Sequence, residues 1–218
     1  MRFDWVADNM GQILMMSWAH VQVSVLPIFL SLLIAVPIAW WAHRQKSARR
    51  VLVPISGVLY ALPSLPLFVL LPVVLGTRIL DPLNLVVALT LYGVALLVRT
   101  AVDAFDSVGR IIRDDALAIG HSPRQVFWRV ALPLAGPPLL AGTRVVSAST
   151  LSLVSVGALI GVPSLGYFFT NGYQRGFPTE IMVGVIGTVV LAVIFDVIIV
   201  VAGRLLLPWV RATDRRRG

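Results

Sequence analysis

Few side chains of this sequence have the types and spacing that catalysis or metal binding requires. The 218 residues include no cysteine, which excludes disulfides, thiolate metal sites and thiol nucleophiles. Three histidines, His20, His43 and His121, are scattered along the chain and do not predict a buried metal cluster. Neither a G-x-S-x-G nor a G-x-x-x-x-G-K-[ST] sequence occurs, so no nucleophile elbow or phosphate-binding loop is recognisable. We therefore expect no catalytic residue, metal or cofactor on this chain.

Two opposite charges, Arg144 and Asp196, stand inside long apolar runs. Ionisable residues within a membrane span are costly and need a partner. At the rise of an α-helix, Arg144 lies roughly 16 Å above Pro133, and Asp196 lies a similar distance above Leu207. If both are counted from the same side, the two charges lie at matching depth. The sequence therefore predicts an ion pair that clamps two helices, and this structural role is favoured over contact with a substrate.

The polar stretch of residues 102–129 contains signals for two helices and a turn. Gly120 can end a helix in the left-handed conformation. Ser122 can cap the next helix, with Pro123 at its first position and Gln125 closing a capping box. The first helix is predicted as amphipathic from apolar residues at helical spacing: Phe105, Val108, Ile111, Ile112 and Ala116. Such an element could fit the groove of another protein or simply connect two spans.

The composition predicts that these segments belong to a membrane protein. Hydrophobic residues make up 58% of the chain and charged residues 13%, against about 25% charged in soluble domains. A transmembrane helix needs about 20 apolar residues, and five runs qualify, near residues 21–42, 51–76, 83–101, 132–161 and 181–208. The first is too long for a signal-peptide core and is interpreted as a retained helix. We expect an all-α membrane protein with a single domain over residues 1–218.

Proline and charge add detail to this arrangement. The second run contains Pro54, Pro63, Pro66 and Pro72, so its helix is predicted to be kinked or broken. Twelve Lys and Arg residues fall on one face, four each in residues 43–50, 102–129 and the C-terminal tail, against three on the other. This asymmetry predicts an N-out, C-in topology. Orientation thereby explains the net charge of +8, and the predicted contact is the lipid bilayer, not nucleic acid.

A longer motif within the polar stretch resembles one found in a known family. Residues 114–120, DDALAIG, are followed by nine residues and then by VALP, residues 130–133. This arrangement resembles the EAA coupling motif of ABC importer permeases, E-A-A-x-x-x-G-(nine residues)-I-x-L-P. Asp114 takes the place of Glu, and Asp115 departs from the first Ala. The resemblance implies a cytoplasmic coupling segment, residues 102–130, whose ATPase-coupling residues are Asp114, Asp115, Ala116, Gly120, Ser122, Pro123, Leu132 and Pro133.

Three further stretches resemble osmoprotectant permeases, which serve glycine betaine, carnitine and choline. Residues 61–68, ALPSLPLF, resemble the IPSLALF segment of that class, and residues 88–92 repeat its ALTLY. Residues 157–161 with 165–166 resemble ALIGAGGLG, although Val162, Pro163 and Ser164 replace the small residues inside it. The resemblance implies the fold shared with methionine permeases. A methionine or other amino-acid permease is the alternative.

The same resemblance implies the partners. They are a cytoplasmic ATPase dimer that binds ATP and Mg, a second copy of the permease or a related subunit, and an external solute-binding protein. The location implied is the cell membrane of a prokaryote.

The broken second run and the hydroxyl-rich fourth run are the candidates for lining the path. The residues predicted for the path or its gate are Pro63, Ser64, Pro66, Ser152, Ser155, Gly161, Leu165 and Gly166. Close helix packing is the alternative for most of the serines, and is favoured. Aromatic residues of the outer loop, residues 161–180, are predicted to form an interfacial belt and a docking surface in preference to a quaternary-ammonium cage.

Overall fold

The computed structural model describes residues 2–78 and 81–209, so the predicted tail arginines Arg211, Arg215, Arg216 and Arg217 lie outside the described residues. Within that part the chain is all-α, as predicted. The helices are α1 (Phe3–Asp8), α2 (Met10–Arg44), α3 (Lys46–Ala61), α4 (Ser64–Leu75), α5 (Pro82–Ser107), α6 (Arg110–Ala118), α7 (Pro123–Val126), α8 (Leu132–Gly157), α9 (Gly166–Gln174) and α10 (Pro178–Leu206). A π-helical turn (Phe127–Ala131) joins α7 to α8, and a 3-10 turn (Ala158–Ile160) follows α8.

Four helical stretches are long and apolar enough to cross a membrane: α2, α5, the continuous helix Pro123–Ile160, and α10. The first of these begins at Met10, well before the apolar run near residue 21, because residues 12–20 contain neither proline nor glycine. Helices α3 and α4 qualify only as a pair, bent by 105°.

Contacts with α5 indicate that the bent pair is one broken span. Three hydrogen bonds join α5 to residues at the start, the break and just past the end of the pair: Arg49 to Asp106 (2.5 Å), Tyr92 to Leu62 (2.6 Å) and Thr77 to Asn84 (2.5 Å). The helix between Asn84 and Asp106 is about 33 Å long, close to the roughly 30 Å of a hydrocarbon core. Because the bent pair has contacts along that whole length, we count it as one candidate span, which gives five among the described residues.

The break in the second span has a local cause. Leu62 and Pro63 are extended, with ψ of 137° and 132°, and α4 begins at Ser64. In a continuous helix the Leu62 carbonyl would accept from residue 66, but Pro66 has no N–H. The Tyr92 hydroxyl donates to that carbonyl instead. The predicted interruption is thus confirmed, and it lies at residues 62–63.

Helix α5 is the centre of the packing. Most of its length is buried between α2 and α8, whereas α10 buries little of its surface within the chain. At the inner end, Phe105 is buried among alanines of three helices: Ala39, Ala42, Ala101, Ala131 and Ala135. Small side chains let helix backbones approach closely where lipid supplies no hydrophobic driving force.

Candidate functional site

The turn between α6 and α7 has the geometry that the sequence predicts. Gly120 has a φ of +95°, and its N–H donates to the Leu117 carbonyl while the His121 N–H donates to Ala116. These two bonds form a Schellman motif. Ser122 then caps α7, because its hydroxyl accepts from the Gln125 N–H (3.3 Å) and the Gln125 side chain accepts from the Ser122 N–H (2.7 Å). The helix–turn–helix is therefore closed at both sides by local bonds.

The single amphipathic helix predicted from Phe105 to Ala116 is interrupted in the structure. Helix α5 continues to Ser107, and α6 begins anew at Arg110, so no single amphipathic helix connects Phe105 to Ala116. Phe105 and Val108 are buried in the core against α2 and α8. Phe105 and Val108 lie at the end of the third span, where buried residues recur with the same helical spacing as on an amphipathic helix. Helices α6 and α7 with the turn between them cover residues 110–126, and the coupling segment of residues 102–130 stays a prediction.

Helix α6 exposes an apolar surface beyond the spans. Ile111 and Ile119 are each 76% exposed. Asp115 is also exposed, and Asp114 lies 3.5 Å from Arg110, one turn earlier on the same helix. Ala116 is buried within the chain, so its small side chain packs α6 on the protein itself.

The second half of the segment continues directly into the fourth span. Helix α7, the π-helical turn and α8 form one helix from Pro123 to Ile160. Pro133 cannot donate to the Arg129 carbonyl, and the wider π-helical turn occurs at this point. Leu132 is partly buried against the inner core, while Pro133 stands in the first turn of α8. No loop therefore separates α7 from α8.

A charged cluster beside this segment was not predicted. Asp106, at the inner end of α5, contacts His43 Nδ1 and accepts from Arg49 Nη1, both at 2.5 Å. Asp103, one turn earlier, lies 4.0 Å from Arg49. The cluster ties α2, α3 and α5 together on the face that carries α6. Two aspartates one turn apart, opposite a basic loop, were the available sequence signal.

Two of the predicted path residues meet in a cleft beside the break in the second span. The cleft has a volume of about 530 Å³ and is lined by Tyr60, Leu62, Ser64, Tyr92, Ala148, Ser149, Ser152 and Leu153. Ser64 and Ser152 are the predicted residues among them, and Pro63 and Pro66 form the adjoining break. Ser155 lies elsewhere, with its hydroxyl 3.4 Å from that of Thr188 on α10.

The other three predicted gate residues pack within the outer half of the fold. Leu165 is fully buried, and its N–H donates to His20 Nδ1 (3.3 Å). His20 is therefore protonated on Nε2, which donates to the Leu151 carbonyl (3.0 Å). A Cβ at Gly166 would overlap the Ser155 carbonyl, and Gly161 has a φ of +84°. His20 links α2, α8 and this turn, a role that an isolated histidine in a sequence does not indicate.

The structure brings Arg144 and Asp196 together. Arg144 Nε donates to Asp196 Oδ1 (2.5 Å) and Arg144 Nη2 donates to Asp196 Oδ2 (2.8 Å), so the ion pair is bidentate. The side chains remain 45% and 39% exposed within the chain. Neither lines the cleft, so the pair joins α8 to α10 on an outward face.

The outer loop uses its aromatic and polar residues for packing. Trp5 of α1 contacts Phe168 and Phe177 edge to face, with ring centres 6.4 and 5.5 Å apart. Asn171 donates to the buried carboxylate of Glu180 (2.5 Å). These contacts hold α1 and α9 against the start of α10 and leave no aromatic cage formed by Phe168 and Phe177.

Four or five candidate spans among the described residues, with a helix–turn–helix between two of them, are the architecture of a multi-pass membrane protein. Residues 24–212 match the family described as the binding-protein-dependent transport system inner membrane component, and the chain belongs to that family. It is a multi-pass permease subunit of an ABC importer. Membership implies ATPase, permease and binding-protein partners.

Several named relatives are similar over much of the chain. The choline transport system permease protein OpuBB of Bacillus subtilis is 27% identical over 204 residues, 94% of this chain and 93% of the relative. EgtU of Helicobacter pylori, an ergothioneine transport permease and binding protein, is 32% identical over 77% of this chain, which spans 30% of EgtU. ProW of Escherichia coli, a glycine betaine/proline betaine permease, is 28% identical over 86% of this chain and 53% of ProW.

Among solved structures, an inward-facing form of the MetNI methionine ABC transporter has the same fold. The TM-score is 0.74 at 21% identity, with coverage of 93% of this chain and 98% of the other.

Proposed function

We propose that this chain forms the translocation path of an importer for quaternary-amine osmoprotectants such as glycine betaine, choline or carnitine. The similar permeases named for choline, glycine betaine and ergothioneine support this substrate class. Each of those solutes carries a quaternary trimethylammonium group. ATP and Mg are bound by a separate cytoplasmic ATPase dimer, and a solute-binding protein delivers the substrate from outside. The second permease is another copy of this chain or a related subunit.

The observation that carries the coupling role is the surface of residues 110–126. This segment follows the end of α5, exposes isoleucines, and continues into α8 without a loop. Exposed apolar side chains on a charged helix are typical of a helix that docks in a groove. In the proposed complex Ile111 and Ile119 enter a cleft of the ATPase, and Asp114 and Asp115 pair with its basic or amide groups.

The rest of the coupling set positions that contact. Gly120, Ser122 and Pro123 fix the turn, while Ala116 packs α6 on the permease. Leu132 and Pro133 join the turn to the fourth span. When the nucleotide-bound ATPase dimer closes, it displaces α6 and α7, and the continuous helix moves the part of α8 that lines the cleft.

The path itself is proposed to run beside the broken second span. Pro63 and Pro66 create the break, and Ser64 and Ser152 line the adjoining cleft. Gly161, Leu165 and Gly166 form the outer turn, which His20 anchors to α8. Ser155 and the Arg144–Asp196 pair hold α8 to α10, so that the two helices move as one unit.

The test is uptake of radiolabelled solutes in cells without their own osmolyte and methionine importers. The cells express this chain with its candidate ATPase and binding protein, and glycine betaine, choline, carnitine and methionine are compared. We expect uptake of a quaternary amine that disappears when the phosphate-loop lysine of the ATPase is replaced by alanine. Methionine uptake alone would support the amino-acid alternative, and uptake that survives the ATPase mutation would refute the coupling role.

A further inference from the structure

The cleft at the break of the second span lies near the middle of the membrane. Tyr92 is ten residues into α5, about 15 Å from its outer end, and α5 is roughly 33 Å long between Asn84 and Asp106 as counted above. The volume of about 530 Å³ lies within the range of small-molecule sites. Helices from three different spans supply its walls. A solute that moves along the broken span must pass this position.

The cleft contains aromatic rings and hydroxyls without any formal charge. None of its eight lining residues is Asp, Glu, Lys, Arg or His. Tyr60 and Tyr92 have ring centres 6.3 Å apart and planes at 84°, so the two rings form a corner. The Tyr92 ring is fixed because its hydroxyl donates to Leu62. Tyr60 lines the cleft and is 45% exposed.

This combination is suited to a cation that cannot form hydrogen bonds. A trimethylammonium group has no N–H, so polar side chains cannot pair with it directly, whereas the faces of tyrosine rings attract it. The serine hydroxyls on the other helices, Ser64, Ser149 and Ser152, can donate to a carboxylate or bond to a hydroxyl at the other end of the solute. Because no carboxylate is present to hold the cation, binding is weak enough for release, as passage requires.

We infer that this cleft is a transit site in which Tyr60 and Tyr92 contact the quaternary ammonium and the serines contact the opposite end of the solute. The inference rests on the proposed function, since it concerns the same substrate. It assigns to the permease a recognition step that is separate from capture by the binding protein.

The test uses the complete transporter in proteoliposomes, with loaded binding protein at saturating concentration so that capture is not limiting. The measured quantity is choline taken up per ATP hydrolysed. Tyr60→Leu should lower this ratio about 3- to 30-fold, the range expected for one lost cation–π contact. Tyr60→Phe keeps a ring and should stay within about twofold of wild type. Val58→Leu, on the exposed face of the same helix, is the control for a change of side chain outside the cleft.

A second variant tests the hydroxyl side. Ser152→Ala should reduce uptake of glycine betaine, which carries a carboxylate, more than uptake of choline, which carries a hydroxyl. Equal ratios for Tyr60→Leu and wild type, or equal losses for Tyr60→Leu and Tyr60→Phe, would overturn the inference while leaving the importer function intact. Failure of the proposed function would look different, since the wild-type complex would then transport neither solute.

Discussion

The sharpest prediction concerns the left-handed glycine between α6 and α7. Gly120 has a φ of +95°, and a Cβ added there would meet no atom within 4 Å. Replacing it with alanine therefore adds no steric contact with the rest of the chain. The only penalty is that of the backbone, about 1–2 kcal/mol for a residue with a Cβ in the left-handed region. Asparagine tolerates this region better, so Gly120→Asn should cost less than Gly120→Ala.

The Gly120→Ala substitution should impair the coupling of ATP hydrolysis to uptake and should not impair folding of the spans. The turn lies outside the membrane, so the penalty falls on the Schellman motif that orients α6 against α7. A cost of about 1–2 kcal/mol lowers the population of the native turn by roughly 5- to 30-fold relative to its alternatives. Gly120→Ala should therefore insert normally but lose most of its substrate-driven uptake, with Gly120→Asn in between.

A second glycine, just before the same segment, provides the control. Gly109 precedes α6, has a φ of −48°, and also has open space around its Cβ position. Gly109→Ala should be close to wild type. The assay measures betaine or choline uptake and stimulated ATP hydrolysis in proteoliposomes, after membrane content has been equalised by immunoblot. If Gly120→Ala and Gly109→Ala gave the same uptake, the left-handed turn would have no role in coupling.

Three further substitutions test other parts of the fold. Ser122→Ala removes the cap of α7, at a cost of about 1 kcal/mol, and should lower uptake severalfold without changing membrane content; unchanged uptake would argue against the cap. Tyr92→Phe leaves the Leu62 carbonyl without a donor, and at about 1–3 kcal/mol it should lower the Tm of the purified complex, so an unchanged Tm would contradict the role of this bond at the break. Arg144→Asp should reduce the amount of folded permease, and adding Asp196→Arg should partly restore it; absence of any recovery in the double variant would remove support for the clamp.

The parts of the fold that were predictable are those governed by neighbouring residues. Gly120, Ser122, Pro123 and Gln125 occupy their cap positions as predicted, because each signal acts within a few residues. The extent of α6 was predicted wrongly for the opposite reason. Phe105 has helical spacing relative to the residues that follow it, and only packing against α2 and α8 shows that it belongs to the third span.

The break in the second span shows where local rules end. Pro66 reveals from sequence that the Leu62 carbonyl lacks its helical donor. The donor itself, Tyr92, lies thirty residues away on another helix, so no local pattern identifies it. His20 is similar, since its two bonds reach residues 131 and 145 positions further along the chain. The sequence thus predicts that the Leu62 carbonyl needs a hydrogen-bond donor, whereas only the tertiary fold identifies Tyr92 as that donor.

The Arg144–Asp196 contact is the exception among distant pairs, because the constant rise of a helix converts residue number into depth. Depth does not give direction around the helix, however, and direction decides what each residue of α8 can do. Ser149 and Ser152 line the cleft, whereas Arg144 turns away from it towards α10. The same helix begins at Pro123, beside the turn set by Gly120. One continuous helix therefore joins the segment of residues 110–126 to the cleft and to the Arg144–Asp196 pair. For this reason a substitution in the turn at Gly120 should alter uptake, although the cleft lies near the middle of the span.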